Sequence, residues 1–522
     1  MRRTLPGLAV FALSLAMPGA SSGQAPAPQL SSYEQLQVFS GVLSQIRVNY
    51  VDSVNFGHLV RAAIEGMLGS LDPHSRYVSR KDFELRSAYE NGQLAGAGLS
   101  LDDADGAVVV LGVDPKGPAG KAGVQPGDRV RSMNDSALAG ISAGALEVRL
   151  LGEKGSRLRL GFERGSRIDP DTFAVTIRRA LIDSRVVPPP RLAAPGVGYV
   201  RLYMFTPPSA REVRDAVKRV RGMGAERLIL DLRGNGGGNV GAMIEIASLF
   251  LPARAEIFHT EARTAQGRDT AVTKDGGDFA GLPLILLLDD GSASASEMLA
   301  GTLQDHDRAA VVGRRSFGKG LVQSALPLPA GDVVWLTTAR VVTPSGRVIQ
   351  RRYAGVGAGQ YRALGGVSGA ADDTTKLYHT RAGRPVRGGG GIAPDVPRPA
   401  PDLPVWFSVA VDSGFHTAIA DSMAATLPAT PAGLAAWAAD SLRWETALVV
   451  PFLARVQQRL GVRTAMAPAV RARIARNLAL RTVEVRWGAE AEADFMLQHD
   501  PDVTLAVATF ARLPQILAAP AR

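Results

Sequence analysis

Three serines occupy alternate positions in "GSASASEMLAGTLQD", residues 291 to 305, and an acid closes the stretch. A serine nucleophile needs an exposed hydroxyl and a partner to take its proton. The stretch falls between the apolar run "PLILLLDD" and an amphipathic helical pattern, so it predicts a strand-to-helix turn. Such turns carry ligand-binding groups in α/β proteins, and the first free helix amides point into the same space. Capping chemistry separates the three serines. Ser294-Ala-Ser-Glu297 fits a capping box, whereas neither Ser292 nor Ser296 has an acid three residues on. Ser294 is thereby placed at the junction, with the amide of Ala295 just inside the helix. Ser292 and Ser296 read as small neighbours leaving room for substrate. The plainer alternative is a serine N-cap, and a hydroxyl that caps full time is a poor nucleophile.

The proton acceptor is not obvious. The chain has seven histidines, His58, His74, His259, His306, His379, His416 and His499, and none sits in a convincing motif. Along a straight helix His306 lies about 18 Å from Ser294 and Asp305 about 16 Å, which sets both aside and leaves Asp305 structural. A lysine held neutral is the other base that activates serine. "GRRSFGKGLVQ" (313–323) follows the next strand pattern and sets Lys319 between Gly318 and Gly320. Its amine, ordinarily titrating near about 10.4, must fall by about 3 to act near neutrality; burial away from carboxylates can do this. Gln323, four residues on along a strand, shares that face and can orient the amine. Two other readings of the segment fail. The phosphate-loop pattern Gly313-x-x-x-x-Gly318-Lys319 has Gly320 where Ser or Thr is required, and a strand where a helix is required. Ser316-x-x-Lys319 lacks the companion motifs of penicillin-binding proteins.

Acyl transfer also needs donors for a developing oxyanion. "DLRGNGGG" (231–238) ends a buried strand in glycine amides suited to that role, although a tight turn would use the same residues. Around these segments strand and helix patterns alternate, from "GVGYVRLYMF" through "VVWLTTARVV", which predicts an α/β core with helices packed on a mixed sheet. Upstream, from Leu94, short strands alternate with Gly, Pro and Asp clusters, and residues 93–182 resemble a PDZ domain. Gly96-Ala97-Gly98-Leu99 stands at that family's carboxylate-binding loop, with "GKAGVQPGD" at the right distance beyond. Exposed consecutive amides hold a terminal carboxylate, and the next strand pairs with an extended peptide.

Composition bounds what remains. The chain of 522 residues, 46% hydrophobic, is long enough for several units. It has no cysteine, which excludes disulfides, thiolate metal sites and a cysteine nucleophile. Residues 1–25 read as an export signal: Arg2 and Arg3, a short apolar run, then small residues for cleavage between about Ala20 and Ala25. The run is shorter than the roughly 20 apolar residues of a stable anchor. A periplasmic or otherwise exported location is expected. Net charge is +10, or +8 without the two signal arginines, but acids intersperse the bases and no aromatic-basic stripe appears, so no nucleic-acid partner is expected.

Taken in order, "LDPHSRYVS", the PDZ-like segment, "DLRGNGGG", "GSASASE…LQD", "GRRSFGKGLVQ" and "TPSGRVIQ" resemble a carboxyl-terminal processing peptidase, the tail-specific serine protease family, over about residues 30–400. The resemblance implies Ser294 as nucleophile, Lys319 as general base, Gln323 assisting it, and oxyanion amides at Gly237 and Ala295. It implies no metal or other cofactor, and as partners unfolded or processed proteins with apolar C-termini. The PDZ loop departs from the family's usual G-I-G-I in having Ala97. The expected fold is an α/β mixed-sheet protease core with an inserted mainly-β PDZ domain and helical N- and C-terminal regions. The expected divisions are 1–25 signal, 26–92 helical region, 93–182 PDZ domain, 183–402 protease core and 403–522 helical region. That last region carries no recognisable chemistry; it suits either a capping domain or a docking and dimerisation unit, so a homo-oligomer stays open. The alternative to an enzyme is a peptide-binding scaffold on a degenerate protease core, or an apolar-ligand carrier on a related one.

Overall fold

The computed structural model describes residues 31–518, apart from 91–94, 105–106, 114–116, 126, 139–140, 142, 165–169, 182–185, 275, 330, 355–360, 362–375 and 400–402. The expected signal segment, residues 1–25, lies outside the described residues. The chain divides into two compact units, residues 1–66 and 67–522. In the first, the helix Ser32–Asn49 starts at a capping box in which Ser31 and Glu34 close on each other, and it buries none of its residues.

The second unit is built on a six-stranded sheet. Its order is Arg191–Ala194, Val197–Arg201, Arg227–Asp231, Leu284–Leu288, Ala310–Gly313 and Val396–Pro397; the first pair is antiparallel and the rest are parallel. Strand side chains alternate between faces, and here both faces are covered. Leu228, Leu230, Leu284, Leu286 and Leu288 pack with Val213, Val217, Met243, Ile246, Leu299 and Leu303 of the crossover helices Ser209–Gly222, Val240–Phe250 and Ala295–Asp305. Ile229, Ile285 and Leu287 pack on the other side against Leu497, Val503, Ala506, Phe510 and Leu513 from the end of the chain. Two-sided burial explains why Leu284–Leu288 is apolar at every position, with no polar face.

A second sheet stands beside the first and is antiparallel. The strand Val333–Val342 lies between Arg76–Val78 and Glu256–Ala262, and it also pairs with Leu321–Pro327, the strand that follows Lys319. The sequence predicts neither Arg76–Val78 nor Glu256–Ala262. One is three residues long, and the other, "EIFHTEA", carries polar residues that blur the apolar pattern.

Residues 95–181 form a third, antiparallel sheet in the order Leu99–Ala104, Ala107–Val113, Arg129–Met133, Arg157–Arg164 and Asp171–Arg178, with its own apolar core. Ala95–Gly96 pairs with Ala180–Leu181, so the incoming and outgoing strands of this layer lie side by side. Beyond residue 403 helices gather around Trp437, Trp444, Phe452 and Phe495.

Charge ties the last helices to the sheet. Arg233, just past the strand Arg227–Asp231, donates to Asp231, to Asp502 at 2.9 Å and to Asp500 at 2.8 Å, and Arg398 also pairs with Asp502. Burial alone would raise the Asp502 carboxyl, but Arg398 and Arg233 outweigh it and hold it below the usual carboxylate range. An unfolded aspartate takes its proton near about 3.9, so this native contribution is complete above that pH. It is lost as pH falls through the lower native value. We expect Asp502→Asn to lower Tm at pH 7 and to flatten the acid limb of a Tm-against-pH curve below about pH 4; an acid limb parallel to the wild type's would show that other carboxylates govern it.

Candidate active site

The parallel strands deliver three loops to one edge of the sheet: 232–239 after Asp231, 289–294 after Leu288, and 314–320 after Gly313. Ligands of open α/β sheets collect at this carboxyl edge. Ser294 sits at the head of the helix Ala295–Asp305 with φ +57°, a positive value that a non-glycine residue adopts at a cost of about 1–3 kcal/mol.

The three serines have distinct surroundings. Ser292 and Ser296 are fully buried, correcting the expectation that they leave room for substrate. Ser292 Oγ donates to the Leu232 carbonyl at 2.9 Å, and Ser296 Oγ to the Asn235 carbonyl at 2.8 Å. Each therefore staples the serine loop to the glycine loop. Ser294 is only partly covered.

Glu297 does more than close the helix cap. Its buried carboxylate accepts Ser294 N at 2.9 Å and Lys319 N at 2.7 Å on Oε2, and Gly318 N and Ser316 Oγ, each at 2.6 Å, on Oε1. One side chain thus gathers the serine turn and the lysine loop around itself. Burial raises the carboxyl above its ordinary value, opposed by these four donors. Phe317 N adds a bond to the Ser292 carbonyl at 2.9 Å. Close approach also requires glycine here: Gly318 is at φ +93°, and a Cβ on Gly320 would meet Ile349 at 2.9 Å.

Behind Lys319 lies "LDPHS", whose contribution the sequence does not reveal beyond a helix break at Asp72-Pro73. Asp72 accepts from the amides of His74 and Ser75 and from Ser75 Oγ; that hydroxyl accepts Thr337 N at 3.1 Å. Thr337 Oγ1 in turn accepts Gln323 Nε2 at 3.3 Å, with Gln323 and Thr337 directly opposite each other. On the other side His74 Nε2 meets Tyr361 Oη at 2.9 Å, which accepts from Gln350, and Gln350 accepts Gly320 N at 2.9 Å. Both flanks of Lys319 are thereby braced by one motif.

Gly237, at φ +104°, faces the serine turn: a Cβ there would lie 2.8 Å from Ser294 Cβ and 2.9 Å from Ala295 N. Only glycine fits. Its amide, however, donates to Asn235 Oδ1 at 2.9 Å, so in this state it is engaged within its own loop. Asp305 lies at the far end of the helix, where it accepts Arg347 Nη2 at 2.7 Å and Ser345 N at 3.0 Å and so holds the "TPSGRVIQ" turn. Among the described residues no cluster of three or more His, Cys, Asp or Glu side chains is placed to hold a metal ion.

In the third sheet Gly96 ends a short strand, Ala97 is buried in that layer's core, Gly98 has φ +75° and Leu99 begins the edge strand. Ala97 belongs to the same buried cluster as Ala119 and Leu146.

Residues 196–359 match the profile of Peptidase family S41. The chain is 33% identical over 325 residues to the carboxy-terminal-processing protease of Bartonella bacilliformis, a stretch covering 61% of this chain and 74% of the relative. It is 34% identical to the carboxyl-terminal-processing protease of a Synechocystis species, covering 54% of this chain and 66% of that one. It is 28% identical to the carboxy-terminal processing protease CtpA of Bacillus subtilis, covering 59% and 65%. A solved structure of a photosystem II D1 C-terminal processing protease aligns at 27% identity and a TM-score of 0.37, covering 71% of this chain and 94% of that chain. The chain is a serine peptidase. It belongs to the carboxyl-terminal-processing protease family.

Glutamine at position 297 would set an amide NH₂ against backbone N–H donors. Glu297→Gln is expected to keep the fold by circular dichroism yet lower kcat by about 100-fold or more. Activity within about twofold of wild type would show that this carboxylate does not hold the site together.

Proposed function

We propose that the chain is an exported endopeptidase that captures protein substrates by their C-terminal tails and cleaves them with a Ser294–Lys319 dyad. The observation that carries this reading is the shared Glu297 oxygen, which holds the backbones of Ser294 and Lys319 side by side. In the proposed step the neutral Lys319 amine takes the proton from Ser294 Oγ as the oxygen attacks the scissile carbonyl. The amides of Gly237 and Ala295 receive the oxyanion, the former after leaving Asn235. Lys319 then passes its proton to the departing amine, and water releases the acyl group by the same route reversed. Gln323 orients the lysine from the strand behind it, supported through Thr337 by Ser75 and Asp72. Ser294→Ala and Lys319→Ala should each lower cleavage of a tailed, unfolded substrate by about 10³-fold or more. Full activity in either variant would remove that residue from the chemistry.

Tail capture is assigned to residues 93–182, read as a PDZ domain, with Gly96, Ala97, Gly98 and Leu99 around the terminal carboxylate. Support comes from the sheet order, which leaves Leu99–Ala104 at an edge beside the helix Ala143–Leu150, the place where an extended peptide adds as a strand. Apolar tails are the proposed substrates, as the resemblance to the family implies. Export rests on residues 1–25; among the described residues no helix is long and apolar enough to cross a membrane.

The edge strand is not empty-handed. Leu101 N donates to Glu147 Oε1 of the adjacent helix at 2.8 Å, so it points away from the neighbouring strand. An arriving tail must displace this carboxylate to pair there. Glu147→Ala is expected to lower KM for a tailed substrate several-fold with kcat unchanged. A KM unchanged by the substitution would exclude strand addition at this edge.

A further inference from the structure

At the carboxyl edge of the parallel sheet, on the side facing the last helices, lies a cavity of about 250 Å³. Its walls carry six guanidinium groups, from Arg201, Arg233, Arg314, Arg398, Arg473 and Arg476. Four of these follow or end parallel strands of the sheet, and the last two come from the helix Pro468–Trp487. Only three carboxylates, Asp289, Asp500 and Asp502, share the lining. The buried Asp231 behind them adds a fourth negative charge, already held by Arg233. The balance is positive in a confined space, where like charges repel strongly.

Several cations have their carboxylates. Arg233 and Arg398 are committed to the aspartates, as described above. Arg314 reaches Asp289 and Asp290 only at 3.5 and 3.4 Å, and Asp502 at 3.9 Å. Other donors are left over. Arg201 Nε and His499 Nε2 are buried without a hydrogen-bond partner among the described residues. Arg201 otherwise rests its Nη1 on Met496 Sδ and its guanidinium over the Tyr203 ring. His499 is packed edge-on to Trp444 and stacks at a tilt on Phe495. Arg476 forms no ion pair among the described residues; burial lowers its pKa, with Arg398 and Arg473 acting in the same direction against Asp500 and Asp502. Buried donors normally find acceptors, and those left unpaired call for an explanation.

An oxyanion in the cavity would meet the guanidinium groups that line it. Guanidinium forks match the paired oxygens of phosphate, and charge-assisted bonds of this kind are the strong ones. The volume corresponds to about eight waters, enough for an orthophosphate with part of its hydration. We propose that this cavity is a binding site for a phosphate-class oxyanion, which completes the contact between the last helices and the carboxyl edge of the sheet. The site adjoins the catalytic loops. Asp289 accepts Gly234 N at 2.8 Å, Gly291 N at 3.0 Å and Ser292 Oγ at 3.2 Å, and Arg233 precedes the glycine loop directly. Filling the cavity therefore steadies the wall from which both loops hang. This site is independent of the dyad and of tail capture.

The test uses the full chain and inorganic phosphate, with chloride at matched ionic strength as the control. Phosphate at saturating concentration is expected to raise Tm by about 3–5 °C above the chloride value. Arg476→Gln should leave Tm in chloride unchanged or higher, because it removes repulsion and breaks no ion pair. It should also raise the phosphate concentration needed for half the shift by about tenfold or more. A parallel arm with glycerol 3-phosphate identifies the source of the group: a shift there admits a phosphomonoester, and a shift with inorganic phosphate alone restricts the site to the free ion. No phosphate shift beyond chloride would overturn the proposal. So would a shift retained in full by Arg476→Gln, or an Arg476→Gln chain destabilised in chloride, which would mark that arginine as structural.

Discussion

Everything at the candidate site depends on one buried carboxylate. Glu297 lies in the first turn of the helix that Ser294 begins, and its two oxygens accept four donors from two separate loops. A buried charge is costly unless its hydrogen bonds are complete, and removing one donor leaves the remainder exposed to that cost. The two loops are therefore not independently placed. They are held in common, and a shift in either is resisted by the desolvated group between them. Ser292, Ser296 and Phe317 add bonds between the same segments, so the positive φ of Ser294 is held by its surroundings rather than by its own preference.

The sheet beneath supplies the precision. Parallel strands buried on both faces end together, and three of them pass directly into the functional loops. The second sheet approaches from the side, where the strand after Lys319 runs alongside Val333–Val342. Helices from the far end of the chain close the back face. The core is thus assembled from residues near position 76, from the middle of the chain and from beyond position 500.

Much of this was legible in the residues. Apolar runs such as Leu284–Leu288 mark two-sided strands, the S-x-x-E spacing marks the helix head, and glycines flanking Lys319 mark a close approach. What escaped was of another kind. The bracing of Gln323 through Thr337 and Ser75 to Asp72 joins positions about 250 residues apart, and no local pattern encodes such a meeting. Ser292 and Ser296 looked like spacers because a buried hydroxyl bonded to a distant carbonyl leaves no trace in spacing. Glu297 was visible as a cap, a local role; its longer-range role depends on Ser316, Gly318 and Lys319 arriving from the next crossover. The last helices gave no chemical signal because Asp500 and Asp502 meet Arg233 and Arg398 only against the sheet.

The amide of Gly237 carries a consequence of its own. It points at Asn235 Oδ1 within its own loop, although its α-carbon faces Ser294. For the proposed reaction, host and guest then contend for one N–H. A chain seated well enough to develop charge opposite that glycine wins it from the asparagine; one that is poorly seated leaves the asparagine in possession. Discrimination between substrates would then appear in turnover as much as in affinity, since the correct chain assembles part of the machinery that cuts it. An enzyme built this way would stay idle until a well-seated chain arrives.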